Sequence, residues 1–113
     1  MQERVAAGAD GELLSESLEP GIVILTLNRP KARNALSLSM LTSLRQAFDT
    51  IGRDPSVAAI VLAANGPVFC SGHDLKEMTA RRGEPDGGKA FFDLTMTTCA
   101  AMMQSIVKCP KPV

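Results

Sequence analysis

Two apolar runs separated by a helical pattern restrict the fold of this chain more than any other feature of its sequence. The run at Ile22–Leu27 is rich in β-branched residues and the run at 57–64 is apolar throughout, as expected of strands that are buried on both faces. The segment between them has apolar residues at spacings of three and four, at Leu38, Leu41, Leu44, Phe48 and Ile51. This periodicity indicates a helix that Ser37 or Ser39 caps and that ends near Arg53. The arrangement predicts a right-handed βαβ unit with parallel strands.

The sequence around this unit predicts one incomplete α/β domain at 12–113, preceded by a flexible leader at 1–11. Leucines near the start of the domain favour an edge strand, at Leu13, Leu14 and Leu18. After the second strand we expect a loop that leads into a short helix, then a polar loop at 81–88 and a long helix at 89–108. Two prolines, Pro110 and Pro112, end that helix and begin an extended segment. Layers of this kind leave a sheet edge and one face of the long helix uncovered.

Composition argues against several classes of protein. Twelve acidic residues balance twelve basic ones, which disfavours nucleic acid as the main partner, and the absence of Trp and Tyr removes the usual platforms for stacking bases. No apolar run approaches the roughly 20 residues that cross a bilayer. The three cysteines have no CxxC spacing, so neither a disulfide framework nor a metal site is expected. The acidic N-terminal segment does not resemble a secretory or transit peptide, and a cytoplasmic protein is therefore expected.

The segment FCSGHDLKEM at residues 69–78 is the best candidate for chemistry. It follows the second apolar run and has the pattern of a strand, a Gly-containing turn and a helix. Such a turn leaves backbone N–H groups without partners at the start of the helix. Gly72 lets a ligand approach the backbone closely because it has no Cβ atom. Free N–H groups can hold a developing negative charge on oxygen, so this turn is a candidate oxyanion hole.

The same segment resembles the oxyanion loop of the enoyl-CoA hydratase/isomerase, or crotonase, family. Upstream, ILTLNRPKARNALS at 24–37 is similar to that family's first strand and CoA-binding turn. The two motifs occur in the family's order, with a helical pattern between them. The resemblance covers 12–113 and corresponds to the N-terminal half of the family's domain. It implies a crotonase-like α/β fold with ββα-type layers, in the order strand-helix-strand-loop-helix, incomplete as given.

The resemblance implies that the backbone N–H of His73 is the first oxyanion donor. The family most often has a small residue at this position, so the imidazole is a departure. Either the side chain merely tolerates the position, which is the favoured interpretation, or it narrows the acyl pocket or adds a charge beside the thioester. It is the only histidine of the chain, and no serine or aspartate partner is indicated by motif, which disfavours a hydrolase triad.

Basic residues in both motifs suit the phosphates of CoA, because phosphate oxygens pair with Lys and Arg. The resemblance places Arg33 and Lys76 against CoA, with solvated surface charge as the alternative for each. For Arg81 and Arg82 surface charge is the favoured interpretation. The full set of implied substrate- and CoA-binding residues is Lys31, Ala32, Arg33, Ala35, Ser71, Gly72, His73, Asp74, Leu75 and Lys76.

Other residues of the segment have simpler explanations than catalysis. Asp74 and Glu77 have the proximity of an acid–base pair, but a helix cap and a solvated carboxylate are favoured. Cys70 has no histidine base placed near it by spacing, so a nucleophile is disfavoured. Four methionines either line an acyl tunnel or, as is more usual, belong to the core: Met78, Met96, Met102 and Met103.

The resemblance implies an acyl-CoA-binding protein, with enoyl-CoA hydratase or isomerase as the favoured activity. The thioester carbonyl would become an enolate held by two backbone N–H groups. The substrate brings its own CoA, so no separate cofactor is implied, and a complete domain would form a homotrimer or hexamer. In the family, the second donor and the acidic residues that transfer protons come from the other half of the domain. The alternatives are a non-catalytic CoA-binding or assembly fragment, and another reaction of the family such as thioester hydrolysis or dehalogenation.

Overall fold

The computed structural model describes residues 3–7 and 11–113, with side chains from residue 11 onwards. Four strands form one sheet in chain order: β1 (Glu3–Ala7), β2 (Leu13–Leu18), β3 (Ile22–Leu27) and β4 (Ala59–Ala64). The pairs β1–β2 and β2–β3 are antiparallel, whereas β3 and β4 are parallel, with Ile22 opposite Ala59. The parallel pair predicted for the βαβ unit is therefore confirmed.

The N-terminal part of the sheet differs from the prediction in two respects. β2 is an inner strand, not an edge, because β1 pairs with it from Ala7↔Leu13 to Glu3↔Ser17. β1 lies inside the segment expected to be a flexible leader, so that expectation is wrong for Glu3–Ala7; the antiparallel partner satisfies backbone groups that an open edge would expose. Residues 1–2 and 8–10 of that segment lie outside the described residues, and the domain boundary at residue 12 stays a prediction.

The helix of the βαβ unit, α1 (Leu38–Gly52), supplies one side of the core. The Ser37 hydroxyl caps it by accepting from Met40 N–H at 3.1 Å, which selects one of the two predicted caps. The apolar face buries Met40, Leu41, Leu44 and Phe48 against side chains of the sheet, among them Leu13, Val23, Leu25, Leu27 and Ile60. The other face of β4 is not covered by the described residues, since Val61 is 46% exposed. The strand is therefore not buried on both faces as its composition suggested.

Two further helices follow β4, the short α2 (Leu75–Ala80) and the long α3 (Lys89–Val107). α3 packs on α1 and contributes Met102 to the core. Beyond α3 the chain returns to the sheet, where Ile60 N–H donates to Pro112 O at 2.9 Å. The extended segment predicted after α3 thus lies along the outer edge of β4.

α3 exposes four large apolar side chains: Phe92, Leu94, Met103 and Val107. In the described part of the chain, α3 is also the one helix long and apolar enough to cross a membrane, with 19 residues and a mean hydropathy of 1.2. No apolar run of this length is visible in the sequence, because Asp93, Gln104 and several threonines interrupt the apolar residues of α3. One such helix is weak evidence for a span, since core helices of soluble proteins have the same length and composition. An uncovered helix face was expected of an incomplete α/β layer structure.

Candidate functional site

The turn that follows β3 carries several of the predicted binding residues. The chain leaves β3 through a 3₁₀ turn at Pro30–Ala32, and the next two residues, Arg33 and Asn34, have φ angles of 53° and 54°. This reversal leaves the side chains of Lys31 and Arg33 exposed. Two cationic side chains are therefore exposed to solvent on this turn, and hydrogen bonds of the buried Asn34 side chain hold the backbone of the turn.

Asn34 provides that support from a position that is 0% exposed. Its amide nitrogen donates to Asn65 O at 2.8 Å and to Val68 O at 2.9 Å, both in the loop after β4. Its Oδ1 accepts from Arg29 N–H at 2.8 Å. Asparagine is also among the few non-glycine residues that readily adopt a positive φ. One side chain thus ties the turn after β3 to the loop after β4.

A single parallel bridge between Leu36 and His73 joins the two loops again. Leu36 N–H donates to Gly72 O at 2.7 Å, and Asp74 N–H donates to Leu36 O at 3.1 Å. In a parallel ladder a residue bonds to the two neighbours of its partner, so the N–H of His73 points away from Leu36. Within the described residues this N–H has no hydrogen-bond partner. Gly72, with a φ of 92°, has no heavy atom within 4 Å of the place where a Cβ would stand, so the approach to it is open.

Asp74 is confirmed as the cap of α2. Its Oδ1 accepts from Glu77 N–H at 3.1 Å, and its Oδ2 pairs with Arg29 Nη2 at 3.1 Å. Burial raises the pKa of this carboxyl, but the Glu77 N–H bond and the Arg29 guanidinium outweigh burial, so the pKa of Asp74 lies below its ordinary value. One oxygen holds the α2 backbone and the other holds the Arg29 guanidinium, which disfavours the acid–base alternative.

Glu77 differs from its expected role as a solvated carboxylate. Its Oε1 accepts from Leu38 N–H at 2.9 Å, at the first residue of α1. The side chain is half-buried as a result. It satisfies one of the N–H groups that a helix start leaves unpaired, and it links α2 to α1.

The lowered pKa of Asp74 predicts a pH-dependent contribution to stability. A depressed carboxyl pKa stabilises the fold fully above the unfolded pKa of about 4, and this contribution is lost as the pH falls through the lower folded value. Asp74→Asn retains a capping side chain and removes the charge. We expect its midpoint of thermal unfolding to lie below that of the natural protein at pH 6, with the gap closing as the pH falls below about 4.

The matched control for this measurement is Asp49→Asn. The Asp49 carboxylate is exposed and lies 4.0 Å from Arg45 on α1, and exposed pairs of this kind contribute about 0–1 kcal/mol. The control should change the melting midpoint little at any pH. A gap for Asp74→Asn that stays constant from pH 6 to pH 2.5 would contradict the prediction.

The two loops enclose a cleft of about 770 Å³. It is lined by every predicted binding residue except Gly72, together with Arg29 and Glu77. Three of its cations have no ion-pair partner among the described residues: Lys31, Arg33 and Lys76. The structure therefore brings together the two predicted segments and gives the cleft unneutralised positive charge, which suits an anionic ligand.

The residues given simpler explanations lie mostly outside this cleft. Arg81 pairs with Glu84 at 2.8 Å and lies 4.4 Å from the ring centre of Phe91, so it is occupied at the surface. The Cys70 sulfur accepts from Gly72 N–H at 3.4 Å and packs against the core. Among the methionines, Met102 belongs to the core, whereas Met78 lines a smaller cleft of about 270 Å³ beside Leu75, Phe91 and Phe92.

Another cleft, of about 390 Å³, lies between the C-terminal halves of α1 and α3. It contains none of the predicted site residues; its cations are Arg45, Arg53 and Lys108. Arg53 and Lys108 are the C-cap residues of α1 and α3, where positive charge complements the helix dipole, and Arg45 lies 4.0 Å from the Asp49 carboxylate. Their position has a structural explanation, and the cleft beside His73 is the better candidate site.

Comparison with known proteins shows the family to which the chain is similar. The family model for enoyl-CoA hydratase/isomerase matches residues 17–113. The mitochondrial enoyl-CoA hydratase domain-containing protein 3 of Mus musculus is 38% identical over 109 residues, which cover 95% of this chain and 35% of that protein. A solved enoyl-CoA hydratase of Mycobacterium smegmatis superposes with a TM-score of 0.81 and 48% identity, covering 90% of this chain and 38% of its own. The chain thus spans little more than a third of the length of these relatives.

A third relative, 3-hydroxyisobutyryl-CoA hydrolase 1 of Arabidopsis thaliana, is 41% identical over 71 residues, which cover 63% of this chain and 18% of that protein. The comparisons also correct one expectation. The mouse protein and its counterparts from Danio rerio and Homo sapiens are mitochondrial, which contradicts the cytoplasmic location expected from the acidic N-terminal segment. The physical reason is that targeting signals are removable addresses read by receptors, so the composition of a folded domain does not determine its compartment.

Proposed function

Because this chain belongs to the enoyl-CoA hydratase/isomerase family, we propose that its cleft binds the CoA part of an acyl-CoA thioester. The observation that carries the proposal is the gathering of Lys31, Arg33 and Lys76 around one cleft with no ion-pair partner in the described residues. Phosphate groups of CoA would neutralise these cations through charge-assisted hydrogen bonds. Ala32 and Ala35 line the same cleft, and their small side chains leave room for the nucleotide.

The N–H of His73 is proposed as the first donor of an oxyanion hole. It has no partner in the described structure and lies beside an open glycine, so it needs no rearrangement to donate to a thioester oxygen. A preorganised donor of this kind lowers the barrier by about 2.7–4 kcal/mol. In the complete protein, the favoured activity is enoyl-CoA hydration or isomerisation through a stabilised enolate. The second donor and the proton-transferring groups would come from the rest of the protein, no cofactor beyond the CoA of the substrate is needed, and a trimer or hexamer is the proposed assembly.

Removal of the free cations should weaken binding of CoA. Arg33→Ala and Lys76→Ala are each expected to lower the affinity for CoA about tenfold, since a hydrogen bond to a charged group contributes about 1.5 kcal/mol. The loss should shrink at high salt, because the contacts are exposed. Isothermal titration calorimetry of the polypeptide expressed from its complete reading frame measures the affinity.

The same titration with 3′-dephospho-CoA shows which cation meets the 3′-phosphate, because replacing that cation should not weaken the binding of a ligand that lacks this phosphate. Arg45→Ala is the matched control, as Arg45 lies on α1 outside the cleft. Wild-type affinity in both cleft variants would contradict the assignment of the cleft.

Thioester hydrolysis is the second candidate, since one of the similar proteins is a CoA-thioester hydrolase. Two assays on one enoyl-CoA substrate separate the reactions. Hydration removes the absorbance of the conjugated double bond without releasing a thiol, whereas hydrolysis releases free CoA that a thiol reagent detects. Binding of CoA with neither signal would identify a non-catalytic CoA-binding protein.

A further inference from the structure

Arg29 makes two contacts that sequence spacing does not reveal. Its Nη1 donates to Ala35 O at 2.6 Å, and its Nη2 donates to Asp74 Oδ2 at 3.1 Å, across 45 residues of chain. The side chains of Arg29 and Asp74 are 24% and 14% exposed. A guanidinium is planar and presents its donors in a fixed fork, so the two acceptors are held at a defined separation.

The backbone of Arg29 is held as firmly as its side chain. Its N–H donates to Oδ1 of the buried Asn34 at 2.8 Å, and its carbonyl accepts from Ala32 N–H at 3.0 Å and Asn34 N–H at 2.9 Å. The guanidinium therefore extends from a fixed backbone. Its bonds hold the Ala35 carbonyl and the Asp74 carboxylate at defined positions relative to the turn after β3.

The two acceptors flank the bridge that orients the free N–H. Ala35 precedes Leu36 and Asp74 follows His73, and Leu36 and His73 are the bridge partners. Arg29 thus spans the bridge from the outside. A shift of Asp74 would also displace its N–H, which donates to Leu36 O. The peptide groups on either side of His73 would then rotate, and the direction of the His73 N–H would change.

We propose that Arg29 is a positioning residue, which sets the direction of the His73 N–H relative to the CoA-facing turn through its simultaneous bonds to Asp74 and the Ala35 carbonyl. The proposal rests on the proposed function of the cleft. Arg29 acts through Asp74 and through the bridge, and the thioester oxygen is met by the backbone of His73. A misplacement of about 1 Å at a reacting centre can lower a rate about 100-fold. Loss of the two guanidinium hydrogen bonds should therefore lower kcat.

The test uses the polypeptide expressed from its complete reading frame and the variants Arg29→Lys and Arg29→Ala. Infrared difference spectra of a bound, slowly reacting enoyl-CoA report the polarisation of the thioester carbonyl, and titration with CoA alone reports binding. We expect both variants to lose most of the carbonyl shift and to lower kcat about 10- to 100-fold, with the affinity for CoA changed less than about threefold. Lysine keeps the positive charge but lacks the planar pair of donors, so Arg29→Lys should restore little of the carbonyl shift or of kcat.

The controls separate positioning from folding. Arg45→Ala removes an arginine outside the cleft and should leave every readout unchanged. Arg29→Lys covers the case in which the alanine variant does not fold. In a double-mutant cycle with Asp74→Asn, the effects of Arg29→Lys and Asp74→Asn on the carbonyl shift should be far from additive.

A wild-type carbonyl shift and kcat in folded Arg29→Lys would overturn the inference. A parallel loss of CoA affinity and carbonyl shift would also overturn it, because Arg29 would then be a binding residue. Absence of both CoA binding and carbonyl shift in the natural protein would reject the proposed function itself, and the inference with it. The three results are distinguishable in one set of spectra and titrations.

Discussion

Asn34→Ala is expected to lower the free energy of unfolding by about 4 kcal/mol, because a buried donor or acceptor left unpaired costs about 1–3 kcal/mol. The substitution removes the partner of three backbone groups that face the buried Asn34 side chain: Asn65 O, Val68 O and Arg29 N–H. Asn34 is 0% exposed, so water cannot readily replace these bonds. A positive φ adds about 1 kcal/mol for alanine. We expect the cleft that is proposed to bind CoA to be lost with the turn that Asn34 supports.

Urea denaturation of the natural protein and its variants measures this effect, with two further substitutions as references. Asn65→Ala removes an exposed amide that donates to Asn28 Oδ1 at 3.0 Å but retains the Asn65 carbonyl, so it should cost less than about 0.5 kcal/mol. Asn34→Gly loses the same hydrogen bonds as alanine without the φ penalty, and should be about 1 kcal/mol more stable than Asn34→Ala. A loss below about 1 kcal/mol for Asn34→Ala would contradict the structural role given to this residue.

Phe48→Ala is expected to lower the free energy of unfolding by about 3–5 kcal/mol, the range for removing a buried aromatic side chain. Phe48 is 1% exposed and lies on the face of α1 that packs in the core. Truncation leaves a cavity between α1 and its neighbours that the surrounding side chains fill only in part.

Phe69→Ala is the matched control for this truncation. Phe69 is 55% exposed, so its removal should change the free energy of unfolding by less than about 0.5 kcal/mol. Denaturation curves with equal urea dependence give both values on one scale. Similar losses at the two positions would show that α1 does not organise the core as described.

The strands and helices that follow a local pattern were predictable from the sequence. β3 has the bounds expected from its β-branched residues, and Ser37 caps α1 as one of two predicted residues. β4 starts at Ala59, two residues later than its apolar run, because Val57 N–H bonds to Asp54 O in the preceding turn and Ala58 N–H bonds to Gly21 O. Hydrophobicity alone does not distinguish such turn residues from the strand.

The candidate site also has a part that was predictable from local sequence and a part that was not. Its contributors come from two short contiguous segments, so motif recognition found the three unpaired cations of the cleft and the His73 position together. Arg29 and the partner of Glu77 were missed. Arg29 lies 45 residues from Asp74, and Glu77 lies 39 residues from Leu38; no local spacing connects these pairs.

By itself, the sequence determined the βαβ unit, the two loops and the family, because periodicity, caps and motifs act over a few residues and each has a direct chemical cause. Only the tertiary structure decided which groups meet across the chain. The Leu36–His73 bridge directs the His73 N–H away from its neighbour, the Arg29 fork joins Ala35 and Asp74, and buried Asn34 ties the loops. These contacts depend on how α1 and the sheet bring distant segments together, and their geometry therefore arises from packing and not from local pattern.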